Sequence, residues 1–304
     1  MRSFVKWAAI CLALASLSTA AFFGWKIYQT ESEYQEGVEA YNLIAEIAQG
    51  TTQEEPGEIP ASSVPEDNKQ DVQDTMEDKE TAGSTEAEDV TVISEESADI
   101  QASENEKPKT PEGSPDLPEI DFTALQKVNP QIIGWICSPD TVINYPVVRG
   151  DDNEYYLYHL ADGTYNRNGC PFMDVKNRAD FSDENTLIYG HHMQNGTMFA
   201  GISWYADQSY YDAHPVLYLF TPEKTYRLEA FSGYTTTLDS SAYMLTFADR
   251  HTFAEWLREI SARSDFRAPM TLSADDHIVT LSTCAYSFEN ARYVLHCRMT
   301  EITR

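Results

Sequence analysis

The sequence predicts a mainly β folded domain, a barrel or a sandwich, preceded by a transmembrane helix and a disordered acidic linker. Aromatic residues are dense only after residue 119, where short runs rich in Val, Ile, Tyr and Thr alternate with clusters of Gly, Pro, Asn and Asp. One amphipathic helix, over 248–262, interrupts these runs late in the chain. Many short strands with a few peripheral helices indicate a mainly β fold. The predicted strands are Thr141–Val148, Thr186–Tyr189, Val216–Phe220, Tyr226–Thr236, His277–Cys284 and Tyr293–Ile302.

Residues 1–28 predict a short cytoplasmic tip and a membrane anchor. Arg2 and Lys6 precede an uncharged stretch, Trp7–Trp25, that would span about 28 Å as a helix, close to the thickness of a bilayer core. The basic residues would stay in the cytoplasm, so the rest of the chain would lie outside the cell. Ser18-Thr19-Ala20 also fits a signal-peptidase site, which makes a cleaved signal peptide the alternative. Both alternatives export the folded domain.

Residues 29–50 predict a juxtamembrane helix, because apolar side chains recur there at intervals of four and three residues. We expect a solvated stalk, with an outward extension of the membrane helix or self-association as alternatives. The apolar positions are Tyr34, Val38, Tyr41, Ala45 and Ala48.

Residues 51–118 predict a disordered linker. The stretch has no Phe, Trp, Tyr or Cys, and through residue 119 it holds 21 acidic residues against 4 lysines, most of the net charge of −28. It cannot bury enough apolar surface to offset the entropy of ordering, and its charges repel one another. We expect a spacer that holds the domain off the membrane, with an acidic interaction tail as the alternative. An acidic chain also lacks the cations that bind nucleic-acid phosphates, so no nucleic acid is expected as a partner.

The cysteines indicate a free thiol rather than a metal or redox motif. Their number is odd and no C-x-x-C pair exists, which argues against a zinc ribbon or a thioredoxin-like site. In an exported domain a free thiol suggests catalysis. The cysteines are Cys11, Cys137, Cys170, Cys284 and Cys297.

Cys284 and Arg292 flank a predicted hairpin turn. Cys284 ends an apolar strand, and the polar turn 285–290 follows it, so its thiol is placed to face a cleft. Arg292 would return beside it on the next strand, where a guanidinium favours a thiolate and stabilises a developing oxyanion. A buried structural cysteine and a surface arginine are the alternatives.

His191 and His192 follow the strand Thr186–Tyr189 and a glycine that permits a sharp turn. A histidine near a cysteine can exchange protons with it. A surface histidine and a His-His metal pair are the alternatives. No further ligand lies at a recognisable spacing, so no metal is predicted.

The sequence around these residues resembles the sortase family. Thr280-Leu-Ser-Thr-Cys284 resembles the T-L-x-T-C signature of sortases, and Asn185–Met193 and Ser287–His296 are similar to the histidine and arginine motifs of class B sortases. The resemblance covers residues 119–304 and excludes the acidic linker. Other similar segments are Ile120–Ile136, Val142–Val148, Asp152–Leu157 and Gly196–Phe199.

The resemblance implies a closed β-barrel in residues 119–304 and a cysteine transpeptidase without a cofactor. Cys284, as a thiolate, would attack the threonine carbonyl of a C-terminal sorting signal of the N-P-x-T-x or x-P-x-T-G type. His191, as an imidazolium, would protonate the leaving amine, and Arg292 with the backbone N–H of Ala285 would hold the oxyanion. The acyl group would then pass to an amine of a peptidoglycan precursor or cross-bridge. No acidic partner for His191 is expected.

The family pattern also implies a groove for the sorting signal on the extracellular side of the membrane. For two of its expected residues, Leu157 and Tyr189, core packing is the alternative. A pilus-polymerising sortase, a hydrolytic cysteine protease and a non-catalytic surface scaffold compete with the main hypothesis. The disulfide state of Cys137, Cys170 and Cys297 is left open. The residues expected to line the groove are Asn153, Leu157, Tyr189 and Ser282.

Overall fold

The computed structural model describes residues 2–50, 117–285 and 290–302, with side chains described from residue 16 onward. The predicted disorder of the acidic linker therefore falls outside the described residues, as does most of the turn after Cys284. Residues 117–302 carry the β-structure, and the N-terminal residues form one long helix.

Within the described ranges, eight strands form a closed barrel in the order β1-β2-β3-β4-β7-β8-β6-β5, which decides between the predicted barrel and sandwich in favour of the barrel. Most neighbouring strands are antiparallel, while β2 with β3 and β4 with β7 are parallel. Two strands, β1 and β3, were not among those predicted. The strands are β1 Ile132–Cys137, β2 Asn144–Val148, β3 Phe172–Met173, β4 Asn185–Tyr189, β5 Val216–Phe220, β6 Thr225–Thr236, β7 His277–Cys284 and β8 Arg292–Ile302.

Four α-helices accompany the barrel in the described part of the chain: α1 Arg2–Ala48, α2 Phe122–Val128, α3 Gln208–Ala213 and α4 Arg250–Ala262. Helix α4 begins two residues later than predicted because the Asp249 side chain accepts from Thr252 N at 2.8 Å and caps the first turn. Three 3₁₀ segments of the described chain lie between the helices: Tyr155–Leu157, Phe199–Ala206 and Ser241–Tyr243.

The barrel is packed on its inside and, around β7, on its outside as well. The interior holds aliphatic and aromatic side chains such as Ile188, Leu219 and Leu281, all 0% exposed. The predicted apolar side of α4 packs on the outer face of the barrel, where it covers Ile278 and Val294. Both faces of β7 are therefore buried until the strand ends at Cys284. The chain thus leaves the buried core at Cys284, the predicted nucleophile.

The C-terminal half of α1 is docked on the barrel, and the prediction of a solvated stalk is wrong. A stripe at spacings of four, three and four residues is buried, and the Tyr41 ring meets the Tyr145 ring edge-on with centroids 5.2 Å apart. The buried stripe is rotated slightly from the predicted one, because Ile44 points inward and Tyr34 lies at its margin. The stripe consists of Gly37, Tyr41, Ile44 and Ala48.

The described residues on either side of the acidic linker meet. Asp121 N donates to Ala48 O at 2.7 Å, so the chain that leaves α1 returns to the end of the same helix. The end of the juxtamembrane helix and the start of the barrel domain are therefore in direct contact, while the prediction that the linker is a spacer holding the domain off the membrane falls outside the described residues. The amphipathic pattern of residues 29–50 had indicated a helix but not the surface that covers it.

The predicted membrane span lies within α1. Among the described residues, no helix combines the length and the hydropathy that a bilayer crossing requires. The side chains of residues 1–15, which include the first half of Trp7–Trp25, lie outside the described part.

Candidate active site

The hairpin formed by β7 and β8 brings Cys284 and Arg292 together. The two residues are direct partners in the antiparallel register, as the spacing predicted. Residues opposite each other on paired strands project from the same face, with Cβ atoms about 5 Å apart. Both residues are partly exposed. The thiol and the guanidinium therefore share one rim of the barrel.

The carbonyl of Ala291 binds both groups that were predicted to hold an oxyanion. Ala285 N donates to Ala291 O at 2.9 Å as part of the hairpin ladder, and Arg292 Nη1 donates to the same oxygen at 3.0 Å. The Ala285 N–H is thus engaged in this arrangement. It could serve an oxyanion only after the first ladder bond of the hairpin opens, whereas Arg292 keeps other N–H groups for that purpose.

The parallel pairing of β4 and β7 brings the histidines to the same rim. Tyr189 lies opposite Ser282, and Gly190 N donates to Ser282 O at 3.0 Å. His192 follows and donates from Nδ1 to Cys284 O at 2.9 Å. Its ring therefore touches the backbone of the candidate nucleophile, a contact that the sequence did not predict.

His191 is held by a backbone carbonyl on its other side. Its Nε2 lies 2.6 Å from Leu157 O, and because a carbonyl only accepts, Nε2 must carry the proton. The Tyr158 ring lies near the imidazole, with centroids 6.5 Å apart. With Nε2 engaged, Nδ1 is the nitrogen left for exchanging a proton with another group.

Two of the predicted groove residues are joined by a carboxylate that sequence reasoning missed. Asp174 is 5% exposed, and its Oδ2 accepts from Asn153 Nδ2 at 3.0 Å and from Tyr189 OH at 2.9 Å. Asn153 Oδ1 accepts in turn from Val175 N at 2.9 Å, which fixes the amide at both ends. Burial, followed by the nearby Asp174 charge, raises the pKa of Tyr189, so its hydroxyl stays a donor. Asp174 had no sequence signal, because the two-residue strand that precedes it was not predicted.

Ser282 is connected to a second missed residue, Tyr243. The two hydroxyls lie 2.8 Å apart, and the Tyr243 ring stacks on the Tyr189 ring with centroids 6.4 Å apart. Burial raises the pKa of Tyr243, while the bond with Ser282 and the Arg292 charge lower it. Tyr243 lies in a 3₁₀ turn between β6 and α4 and had no sequence signal. Leu157, the fourth predicted groove residue, contributes its backbone carbonyl, which accepts the hydrogen bond from His191 Nε2.

The other described cysteines are poor nucleophiles. Cys137, Cys170 and Cys297 are free thiols, which answers the open question of disulfides for the described cysteines. Burial raises the pKa of Cys137 to about 12 and also raises the pKa values of the other two. A thiolate, the reactive form, is disfavoured at all three positions. Cys284 is a partly exposed thiol at the end of a strand.

No metal centre is apparent in the described ranges, since no group of three or more His, Cys, Asp or Glu side chains there could hold an ion. The rim carries the thiol of Cys284, the guanidinium of Arg292, and the imidazole of His191, whose Nε2 is a defined donor. These three groups are suited to acyl transfer through a thioester.

Comparisons with known proteins agree with this chemistry. The family model described as the Sortase domain matches residues 137–300. Sortase B of Listeria monocytogenes is 35% identical over 177 residues, which cover 58% of this chain and 72% of that protein. A Staphylococcus aureus sortase B–substrate complex superposes with a TM-score of 0.57 at 33% identity, covering 60% of this chain and 85% of that one. A crystal structure of a sortase B complexed with triglycine gives the same score and identity, with 60% and 86% covered.

Proposed function

The chain belongs to the sortase family of cysteine transpeptidases, class B, and from this premise we propose that it cleaves C-terminal sorting signals after threonine and transfers the cleaved proteins to a cell-wall amine. The observation that carries the proposal is the register of the β7–β8 hairpin, which pairs Cys284 with Arg292, beside the His191–His192 turn.

In the first half-reaction, the Cys284 thiolate attacks the threonine carbonyl of the sorting signal. The carbonyl oxygen gains the negative charge, and the Arg292 guanidinium stabilises it at the rim. When the tetrahedral intermediate collapses, the C–N bond breaks and the leaving amine takes a proton from His191. Since Nε2 of His191 donates to Leu157 O, the proton comes from Nδ1. The product is a thioester on Cys284.

In the second half-reaction, an incoming amine attacks the thioester carbonyl. Neutral His191 accepts the amine proton at Nδ1, a new C–N bond forms, and the C–S bond breaks to return the Cys284 thiolate. The enzyme thus recovers its starting protonation state, and no cofactor takes part in the balance.

Sorting signals of the N-P-x-T-x or x-P-x-T-G type are the proposed substrates, and a peptidoglycan precursor or cross-bridge amine is the proposed acceptor. The sortase B–substrate complex and the sortase B complexed with triglycine support this assignment by similarity. The groove would be lined by Asn153, Tyr189 and Ser282, whose side chains are tied into one network through Asp174 and Tyr243.

Residues 1–28 are proposed to anchor the enzyme as a single-pass membrane protein, with the N-terminus in the cytoplasm and the barrel outside. The uncharged run Trp7–Trp25 supports the anchor, and so do exposed apolar side chains on α1, among them Phe22 at 51% and Phe23 at 57% exposure. Resistance of the chain to extraction from membranes by alkaline carbonate would support it, and release into the supernatant would contradict it.

The proposed reaction is tested with the full chain and a panel of quenched peptides that carry N-P-x-T-x and x-P-x-T-G motifs, each with and without triglycine. We expect cleavage after threonine and a ligated product only when the amine is present. Cys284→Ala should abolish both. A matched control is Cys137→Ala, which removes a thiol whose pKa is raised by burial and should keep activity. Cleavage that persists in Cys284→Ala, or product that never contains triglycine, would contradict the proposal.

A further inference from the structure

The loop 166–170, named the clasp loop below, fastens α1 to the barrel. Asn166 Nδ2 donates to Glu33 O at 2.9 Å, and Asn168 Nδ2 donates to Tyr34 O at 3.2 Å. Both asparagines are at most 3% exposed. Two buried amides that bond to the backbone of one helix turn fix the loop on α1.

A glycine and a tyrosine of α1 make this close approach possible. A Cβ atom at Gly37 would lie 2.0 Å from Asn168 Nδ2 and 2.8 Å from Asn168 Cγ, so a larger residue would push the loop away. One turn later, the buried Tyr41 donates its hydroxyl to Gly169 O. Burial raises the pKa of Tyr41 well above its usual value, which keeps the hydroxyl a donor.

The opposite side of the clasp loop faces the catalytic histidine. Gly169 has a φ of +58°, and a Cβ atom there would lie 2.6 Å from Tyr156 O, 2.8 Å from Leu157 O and 2.9 Å from His191 Cδ2. Cys170 N donates to Tyr156 O at 2.9 Å, which ties the loop to the same segment. Leu157 O is the acceptor that holds His191 Nε2. One loop thus contacts the helix, the acceptor and the imidazole.

We propose that the docked half of α1 positions His191 through the clasp loop, with Gly37 and Tyr41 as its positioning residues. The proposal rests on the proposed role of His191 as general acid and base. If the helix moves away, the loop loses its support, and Leu157 O no longer holds Nε2 in place. The imidazole then samples both tautomers and other orientations. A misplacement of about 1 Å can lower a rate by about 100-fold.

The test compares three variants of the full chain. Gly37→Ala adds one methyl group in the path of the clasp loop and makes α1 itself a better helix. Gly24→Ala is the matched control in the same helix, because no atom lies within 4 Å of its added Cβ. Tyr41→Phe keeps the ring and removes only the hydroxyl. We expect kcat for peptide transfer to fall about tenfold in Gly37→Ala and about threefold in Tyr41→Phe, and to stay unchanged in Gly24→Ala.

A general loss of stability would lower kcat without moving the proton from one nitrogen of the His191 ring to the other. The second readout is therefore the tautomer of His191. The chain is labelled with ¹⁵N-histidine, and the His191 signals are assigned by their loss in His191→Gln. At a pH where the ring is neutral, the wild type and Gly24→Ala should show the Nε2–H tautomer, and Gly37→Ala a mixture of both tautomers. The pH dependence of kcat for peptide transfer should also shift in Gly37→Ala, together with the tautomer ratio.

An unchanged tautomer in Gly37→Ala overturns the proposal, whether its kcat is unchanged or falls together with thermal stability. A mixed tautomer with a reduced kcat supports it. If the wild-type chain transfers no peptide to any amine, the proposed function fails. The tautomer comparison between Gly37→Ala and Gly24→Ala still decides whether α1 positions His191.

Discussion

Asp174→Asn is expected to loosen the sorting-signal groove without touching the three catalytic residues. The carboxylate accepts from Asn153 Nδ2 and Tyr189 OH through Oδ2 and from Lys176 N through Oδ1. An amide oxygen can keep the backbone bond, but its NH₂ group then faces two donors. Hydrogen bonds to a charged group contribute about 1.5–3 kcal/mol each, so we expect unfolding to become easier by about 3 kcal/mol.

Two assays measure the effect. Urea denaturation followed by tryptophan fluorescence gives the loss of stability, and peptide transfer kinetics give an expected tenfold decrease in kcat/KM, mostly through KM. Asp183→Asn is the matched control. Its carboxylate accepts from Asn177 Nδ2 at 2.9 Å and from Arg178 N at 2.7 Å, away from the rim. That variant should lose stability but keep its KM.

A double-mutant cycle shows whether the groove residues are coupled as the contacts imply. Tyr189→Phe removes the hydroxyl that Asp174 accepts, so its effect should be smaller in the Asp174→Asn background than in the wild type, by about 1 kcal/mol or more. Strictly additive effects on KM would refute the coupling. An unchanged KM in Asp174→Asn, with the expected loss of stability, would refute the role of the carboxylate in the groove.

Three further outcomes follow from the same contacts. Arg292→Lys should lower kcat/KM for peptide transfer by about 100-fold, because an ammonium cannot replace a planar guanidinium that is shared between a carbonyl and an oxyanion; activity equal to wild type would contradict that role. Burial lowers the pKa of His296 to about 3, so below about pH 6.5 this histidine binds a proton in the unfolded chain but not in the folded chain. The free energy of unfolding should therefore decrease as the pH falls from 6.5 toward 3, by about 2 kcal/mol at pH 5. Urea denaturation at several pH values should show that His296→Gln removes this pH dependence, whereas His251→Gln, at an exposed histidine, does not. Tyr243→Phe should raise the KM about fivefold, whereas Tyr210→Phe, which removes a buried hydroxyl without a hydrogen-bond partner, should leave kinetics and stability intact.

The catalytic pairing could be predicted because it depends on local pattern. An apolar strand ending at Cys284 and another starting at Arg292 leave little choice but a hairpin, and the register confirms it. The strand runs and their turns predicted a mainly β fold but left barrel and sandwich open. The closed barrel was implied by the family resemblance, and the strand order confirms it. The short β3 was missed, because Phe172–Met173 has only two residues and no periodicity to detect.

The parts of the site that sequence reasoning missed depend on contacts between distant segments. Asp174 is 21 residues from Asn153, and Tyr243 is 39 residues from Ser282, so no spacing rule connects them. The same limit applies to the surface that covers α1. An amphipathic pattern shows that one face of a helix is buried, but the partner of that face is a property of the whole fold.

The central claim is a thioester on Cys284, and intact-mass spectrometry of the full chain tests it most directly. The chain is mixed with a cleavable sorting peptide, with or without triglycine, and the reaction is quenched in acid within seconds. The intact mass of the chain is then measured for both samples. We predict an added mass equal to the peptide up to its threonine, mapped to Cys284, and we expect triglycine to remove it with formation of the ligated peptide. An adduct on another residue, or cleavage that proceeds in Cys284→Ala, would contradict it.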